Sequence, residues 1–251
     1  MLQKIKNEIV EFKLLLKSVP TVLTVIFVLS VFSMNLLANK SINIPTPYLA
    51  LDCGIIVSWF AFLAMDIITK HFGPKAATQL SLLAIAINLC FCLITYIASV
   101  IPGVWSASFV EGSEQVINGA LDSTFAGTWY VLLGSTLAFA VSSVVNNFSN
   151  YGIGKLFKKN PDGFGAYVMR SYVSTALGQF VDNLIFAFAV SYVFFGWTPV
   201  QCITCAVTGM LIELFCEAIF SGLGYAIVGK WKKEGLGLDS VSYTHLTLPT
   251  I

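Results

Sequence analysis

The chain reads as an all-α polytopic membrane protein with six transmembrane helices and an amphipathic helix at its N-terminus. Three observations give that class. The 251 residues are 57% hydrophobic and 11% charged, with a mean hydropathy of +0.81, whereas a soluble domain carries about 25% charge. The apolar residues gather into runs of about 20 or more, the length that matches a hydrocarbon layer. All but one of the 14 basic residues fall on one side of the topology those runs define. The same composition excludes a disordered chain, which needs low hydrophobicity and high charge. A net charge of +1 gives no clustered basic face, so no nucleic-acid partner is expected.

The first 18 residues form their own element. Leu2, Ile5, Ile9, Phe12 and Leu16 recur at steps of three and four, with Lys4, Lys6, Lys13 and Lys17 among them. That pattern predicts an amphipathic helix lying on the bilayer surface. Glu8 and Glu11 in this basic stretch, and its length before the first apolar run, argue against a cleaved signal peptide. Hydropathy then places spans at 19–38, 48–69, 77–101, 128–148, 166–195 and 200–228, within a membrane domain of residues 19–233. Residues 234–251 read as a disordered tail. Its last ten, from Ser242 to Ile251, resemble a translated cloning or sequencing adapter and are set aside.

Orientation follows from the basic residues. The N-terminal stretch has four lysines, the second loop Lys70 and Lys75, the fourth Lys155, Lys158, Lys159 and Arg170, and the C-terminal end Lys230, Lys232 and Lys233. The other loops hold only Lys40, and the long one carries Glu111, Glu114 and Asp122. The positive-inside rule therefore predicts both termini in the cytoplasm.

Metal and redox chemistry find little support. Cys202 and Cys205 have the spacing of a redox or zinc motif, yet lie in an apolar run without a second ligand pair or a nearby histidine. They read as small apolar helix residues, like Cys53, Cys90, Cys92 and Cys216. Of the two histidines, His245 falls in the adapter-like end and His71 stands alone, so no cofactor or metal is expected.

The informative residues are ionisable groups inside apolar runs, which cost at least a few kcal/mol each in hydrocarbon and therefore mark function. They are Asp52 and Asp66 in the second span, Asp182 in the fifth, and Glu213 and Glu217 in the sixth. Asn88, Asn146, Asn147 and Gln179 add amides, and almost no basic residue faces them. This imbalance predicts an acidic, amide-rich pocket for hydrogen-bond donors or a cation. Asp52, Trp59 and Asp66 are seven apart and share a helix face; Thr175, Gln179, Asp182 and Phe186 form a second stripe, which Gly178 lets a neighbour approach. Glu213 and Glu217 are one turn apart.

Plainer readings stand beside these. Asp66 precedes Lys70 by four residues, a favourable ion-pair order, so that pair is structural or gating. Trp59 serves as core, as a lipid-facing ring or as a pocket wall. Asp52 lies near the outer boundary and could be hydrated. Asn146 and Asn147 can join helices by amide hydrogen bonds. Ser142–Asn147 also resembles Gly178–Asn183, 36 residues later in a span of opposite direction, as in opposed transporter repeats around a midplane site.

At these residues the chain resembles a known family, the VUT-type queuosine-precursor transporters, six-span bacterial importers of 7-deazaguanine bases. The resembling segments are Met65–Ala77, Ser142–Asn147, Arg170–Asp182 and Gly209–Tyr225. The chain departs from the family pattern at Asn146, where an aspartate is common, at Glu213, where many relatives have lysine, and at Gly222, which replaces a proline. The resemblance implies a multi-pass protein of a bacterial plasma membrane that takes up a nucleobase-like substrate. Asp182 and Gln179 would read the base edge, Glu213 or Glu217 would take a further donor, and Asn146, Trp59 and Asp52 would line the pocket. Partners beyond substrate and bilayer are a second copy or an energising module.

Two other classes share some of these features. A substrate-binding subunit of an ATP-driven uptake complex is also small and six-spanned, but the first span lacks an Ala-x-x-x-Ala pattern. An intramembrane enzyme could use the acidic pairs, but no Gly-x-Gly-Asp, Gly-x-Ser-x-Gly or His-Glu-x-x-His motif occurs. Nor is there a phosphate-binding Gly-rich loop. The expectation is a transporter and not an enzyme.

Overall fold

The computed structural model describes residues 2–42, 44–105, 114–125, 129–157 and 163–237. The adapter-like end and most of the expected tail lie outside them. Helices α1 (Leu2–Ser18) and α2 (Thr21–Leu37) precede a two-stranded antiparallel hairpin, β1 (Ser41–Ile42) and β2 (Leu51–Asp52). Then come α3 (Ile55–Phe72), α4 (Pro74–Val100), α5 (Glu114–Phe125), α6 (Trp129–Gly154) and α7 (Phe164–Phe186). A π-helical turn (Ala187–Ser191) and α8 (Tyr192–Phe194) continue α7, and α9 (Pro199–Glu234) closes the chain.

Five helical stretches are long and apolar enough to cross a membrane: α3, α4, the one ending in α6, α7 with its continuation, and α9. The sixth is the bent pair of α1 and α2, which meet at 106°. At 17 residues, α2 is about 25 Å long, the short end of the spanning range. Pro20 opens it, having no N–H to lose at a helix start. Glu8 and Glu11, anomalous in a basic segment, both pair with Lys75 of α4, Glu8 at 3.0 Å.

The second span starts later than hydropathy places it. Residues from Tyr48 are apolar enough to read as membrane, but Asp52 Oδ1 accepts the Gly54 N–H at 2.7 Å and β2 pairs with β1, so the helix begins only at Ile55. Ala50 and Leu51 then pack on Ala187, Trp197, Cys202 and Cys205, which confines those cysteines to an apolar cluster. At the other end of α3, Gly73 adopts φ +90 between α3 and α4, a conformation glycine alone adopts freely, and Pro74 starts the return helix.

The polarity of α9 shows what solvent the fold is made for. Leu211, Phe215, Ile219 and Leu223 are exposed at four-residue steps, Phe215 by 68% and Ile219 by 59%. Glu213, Glu217 and Ser221 are buried at the same steps, both glutamates to 1%. Water would favour the reverse. Hydrocarbon favours this arrangement, since polar groups then meet partners inside the bundle.

Helices α6 and α7 run antiparallel in one long seam. A β-carbon at Gly134 would strike Val190. Four residues on, Ala138 shares an apolar cluster with Phe186. Ser142 then bonds Asp182, Asn146 packs on Gly178, Asn150 bonds Ser174, and Gly154 meets Arg170. Each step of four along α6 meets a step of four back along α7. Small and amide side chains let two backbones approach this way. Within the seam the resembling hexapeptides contact each other reciprocally, first position to fifth: Ser142 with Asp182, and Gly178 with Asn146.

Candidate functional site

The buried polar groups sit in the middle of the spans and separate into two clusters. Ser58 and Asp66, one in each, are eight residues apart on α3, about 12 Å along the axis. Glu213 and Glu217 make the same division on α9 one turn apart, about 6 Å.

On the hairpin side, Ser58 Oγ bonds Glu213 Oε1 and Ser142 Oγ donates to Asp182 Oδ1 at 2.7 Å. Asp52, Ser58, Ser135, Asp182, Asn183 and Phe186 line a common cavity with Met34, Ala38, Gly54 and Ile55. Asp182 and Glu213 both feel the charge of Asp52, and Glu213 that of Asp182. Among the described residues no Lys, Arg or His lines the cavity. Outside the helical spans, burial pushes the Asp52 carboxyl up to about 7, against the lowering effect of the Gly54 N–H bond. Gly209 gives Asn183 room, since a β-carbon there would lie 2.6 Å from its amide nitrogen.

Gln179 lies between the clusters. It is 0% exposed, and neither its amide oxygen nor its nitrogen has a partner. Gly178 beside it is where α3, α6 and α7 close on one another: a β-carbon would stand 2.8 Å from Phe62 and 2.9 Å from Asn146. Each orphaned buried group costs about 1–3 kcal/mol.

On the side of the α3–α4 turn, Asp66 collects donors from two helices. Asn146 Nδ2 reaches Oδ1 at 3.0 Å, Ser174 and Thr175 each stand at 3.3 Å, and Ser171 bonds Oδ2. Ser171 also contacts Glu217 Oε1 at 2.5 Å. Arg170 donates Nε and Nη2 to Asn150 Oδ1 at 2.8 and 2.5 Å. Asn147 accepts from Thr69 at 3.3 Å and donates to Thr78 at 3.2 Å, joining α3, α4 and α6.

Thus Asp52, Asp182 and Glu213 come together, while Asn146 and Glu217 join Asp66 in the second cluster. Asp66 directs its oxygens into α6 and α7 rather than to Lys70. Lys70 lines another cavity, of about 200 Å³, with Lys155 and Arg170. Trp59 reaches neither cluster: it stacks on Phe220 at 4.6 Å and 15°, and its Nε1 donates to the Ile56 carbonyl. The hydroxyls of Ser58, Ser171 and Ser174 are the partners sequence did not single out for the site.

The hairpin-side cavity holds about 20 Å³ for water-sized occupants, roughly one water. Ligand pockets run to about 300–1,000 Å³, so this arrangement is closed to a base-sized molecule.

A family model described as "putative vitamin uptake transporter" matches residues 52–227, from the end of β2 through most of α9 and across both clusters. The chain belongs to that family. No curated protein and no solved structure matches it. Membership in the vitamin uptake family agrees with the apolar helices, and makes the chain a multi-pass membrane transporter.

Proposed function

We propose that this transporter imports a queuosine precursor, or a closely related 7-deazapurine base, across a bacterial plasma membrane by alternating access and without covalent chemistry. One observation carries the reading: Asp52 and Asp182 line a cavity with no basic residue in its lining, Glu213 bonds Ser58 of that lining, and the unpartnered Gln179 lies one turn along α7 from Asp182. A deazaguanine presents a ring N–H beside an exocyclic amine. One carboxylate accepts both hydrogen bonds, with the geometry of a bidentate charged pair. Asp182 takes that role. Gln179 both donates to the ring carbonyl and accepts an N–H, since an amide carries a donor and an acceptor side by side. Glu213 and Asp52 face the remaining edge, where an aminomethyl substituent would place a cation. The family description supports uptake, and the sequence resemblance supports this substrate class.

Cells that can neither make nor import 7-deazaguanines provide the test. The gene should restore uptake of labelled aminomethyl- or cyano-deazaguanine, and an Asp182→Asn protein present at equal level should not. Equal uptake with and without the gene would refute the assignment.

A further inference from the structure

We propose that Asp66, Ser171 and Glu217 form a proton-binding site, separate from the base pocket, through which substrate entry is coupled to proton entry. The coupling half rests on the uptake reading above; the proton site stands on hydrogen-atom counting. Ser171 Oγ is in hydrogen-bond contact with Asp66 Oδ2 and with Glu217 Oε1. A serine hydroxyl has one hydrogen to donate, and an ionised carboxylate has none. Both contacts exist only if a carboxyl supplies the second hydrogen.

The geometry says which one. Asp66 has donors on both oxygens, Asn146 and Ser174 on Oδ1, Ser171 and Thr175 on Oδ2. Ser174 shares its one hydrogen with the Ser171 carbonyl at 3.0 Å. Asp66 still has full donors on both oxygens, Asn146 on Oδ1 and Ser171 and Thr175 on Oδ2, as suits an ionised carboxylate. Glu217 has Ser171 on Oε1 and nothing on Oε2, so Glu217 carries the hydrogen and donates it to Ser171, which donates its own to Asp66. Charge agrees. The ionisable groups that face the site are Asp66 from α3, Glu217 from α9, and Arg170 and Tyr167 from α7. Helix α6 supplies the uncharged Asn146 and Asn150. One guanidinium, two carboxyls and one proton sum to zero, whereas the deprotonated site leaves a net negative charge within the bundle.

A second observation points to an exchanging proton. The Tyr167 hydroxyl is buried, lies one turn from Ser171, and sits in the field of both carboxyls. A phenol both gives and accepts a hydrogen, so it offers the next position for a proton leaving Glu217. Helix α9 links the two sites mechanically. Glu213 bonds Ser58 of the base pocket's lining and Glu217 sits one turn along, so a shift of α9 that opens the pocket also moves Glu217 relative to Ser171.

The purified full chain in lipid nanodiscs, without any base, tests the site by infrared difference spectroscopy across pH. Protonated-carboxyl bands should titrate in the wild type, and the component that Glu217 supplies should be lost in Glu217→Gln while the component that Asp52 supplies remains. Ser171→Ala keeps both carboxyls but removes the bridge, so the Glu217 component should persist with a displaced pH midpoint. Wild-type bands unchanged by both substitutions, or bands that respond to sodium instead of pH, would overturn the proposal. Vesicles then test coupling. An inward proton gradient should stimulate uptake of the neutral cyano base by the wild type and not by Glu217→Gln, and equal stimulation of both would overturn it. Wild-type vesicles that take up no base would count against the substrate and leave the infrared result standing.

Discussion

Gln179 is the residue whose behaviour best separates a binding role from a structural one. Its amide is buried without partners, so Gln179→Leu should leave thermal stability unchanged or raise it, by up to about 1–3 kcal/mol for each orphaned atom removed. Uptake should nevertheless fall. A large drop in melting temperature would show that the amide holds the bundle together. Asp182→Asn exchanges a two-oxygen acceptor for one oxygen and should weaken base binding by about 1.5–3 kcal/mol, or roughly ten- to over a hundredfold, as read by isothermal binding. Asp52, with its carboxyl held near 7, is neutral below that pH and negative above it. An aminomethyl base should therefore bind more tightly as pH rises through about 7, and the gain should vanish in Asp52→Asn. At this scale Asp182, Gln179 and Glu213 were legible, because a polar group inside an apolar run needs a reason. Ser58 and Ser171 were not. Hydroxyls satisfy themselves on their own helix often enough that only tertiary pairing reveals which of them serve a carboxyl.

Packing decides what the elements do. At Gly178 a methyl group would meet Phe62 and Asn146 below 3.0 Å, so Gly178→Ala should force α3, α6 and α7 apart. Overpacking of this kind costs about 1–3 kcal/mol. At Gly222 a β-carbon meets nothing within 4 Å, and Gly222→Ala should be neutral. Melting temperatures of the two variants in one detergent check the contrast, and equal values would contradict the seam as described. The spans were readable from hydropathy because length and apolarity dominate in lipid. The hairpin was not, since Tyr48–Leu51 is apolar and only the Asp52–Gly54 bond and strand pairing stop the helix there. The seam was written in the sequence as small, hydroxyl and amide residues four apart. Its partner helix was not, because a four-residue stripe is compatible with any neighbour.

For the whole molecule, the exposed apolar ridge and buried glutamates of α9 make the bilayer the solvent, and the positive-inside rule predicts the direction within it. Single cysteines placed at Asn118 should react with an impermeant reagent from outside intact cells, and those at Lys155 only after permeabilisation. The reverse pattern would invert the topology. Family membership makes the molecule a membrane transporter, and the cavity of about 20 Å³ is closed to a base-sized molecule. The most direct measurement reconstitutes the purified chain alone in vesicles and follows labelled aminomethyl-deazaguanine under an imposed inside-negative potential. The base's own positive charge gains about 2.3 kcal/mol per 100 mV, which corresponds to nearly fiftyfold accumulation, and a coupled proton adds a second charge to that drive. The account predicts potential-driven accumulation without ATP or a second protein, and uptake that strictly requires both would contradict it.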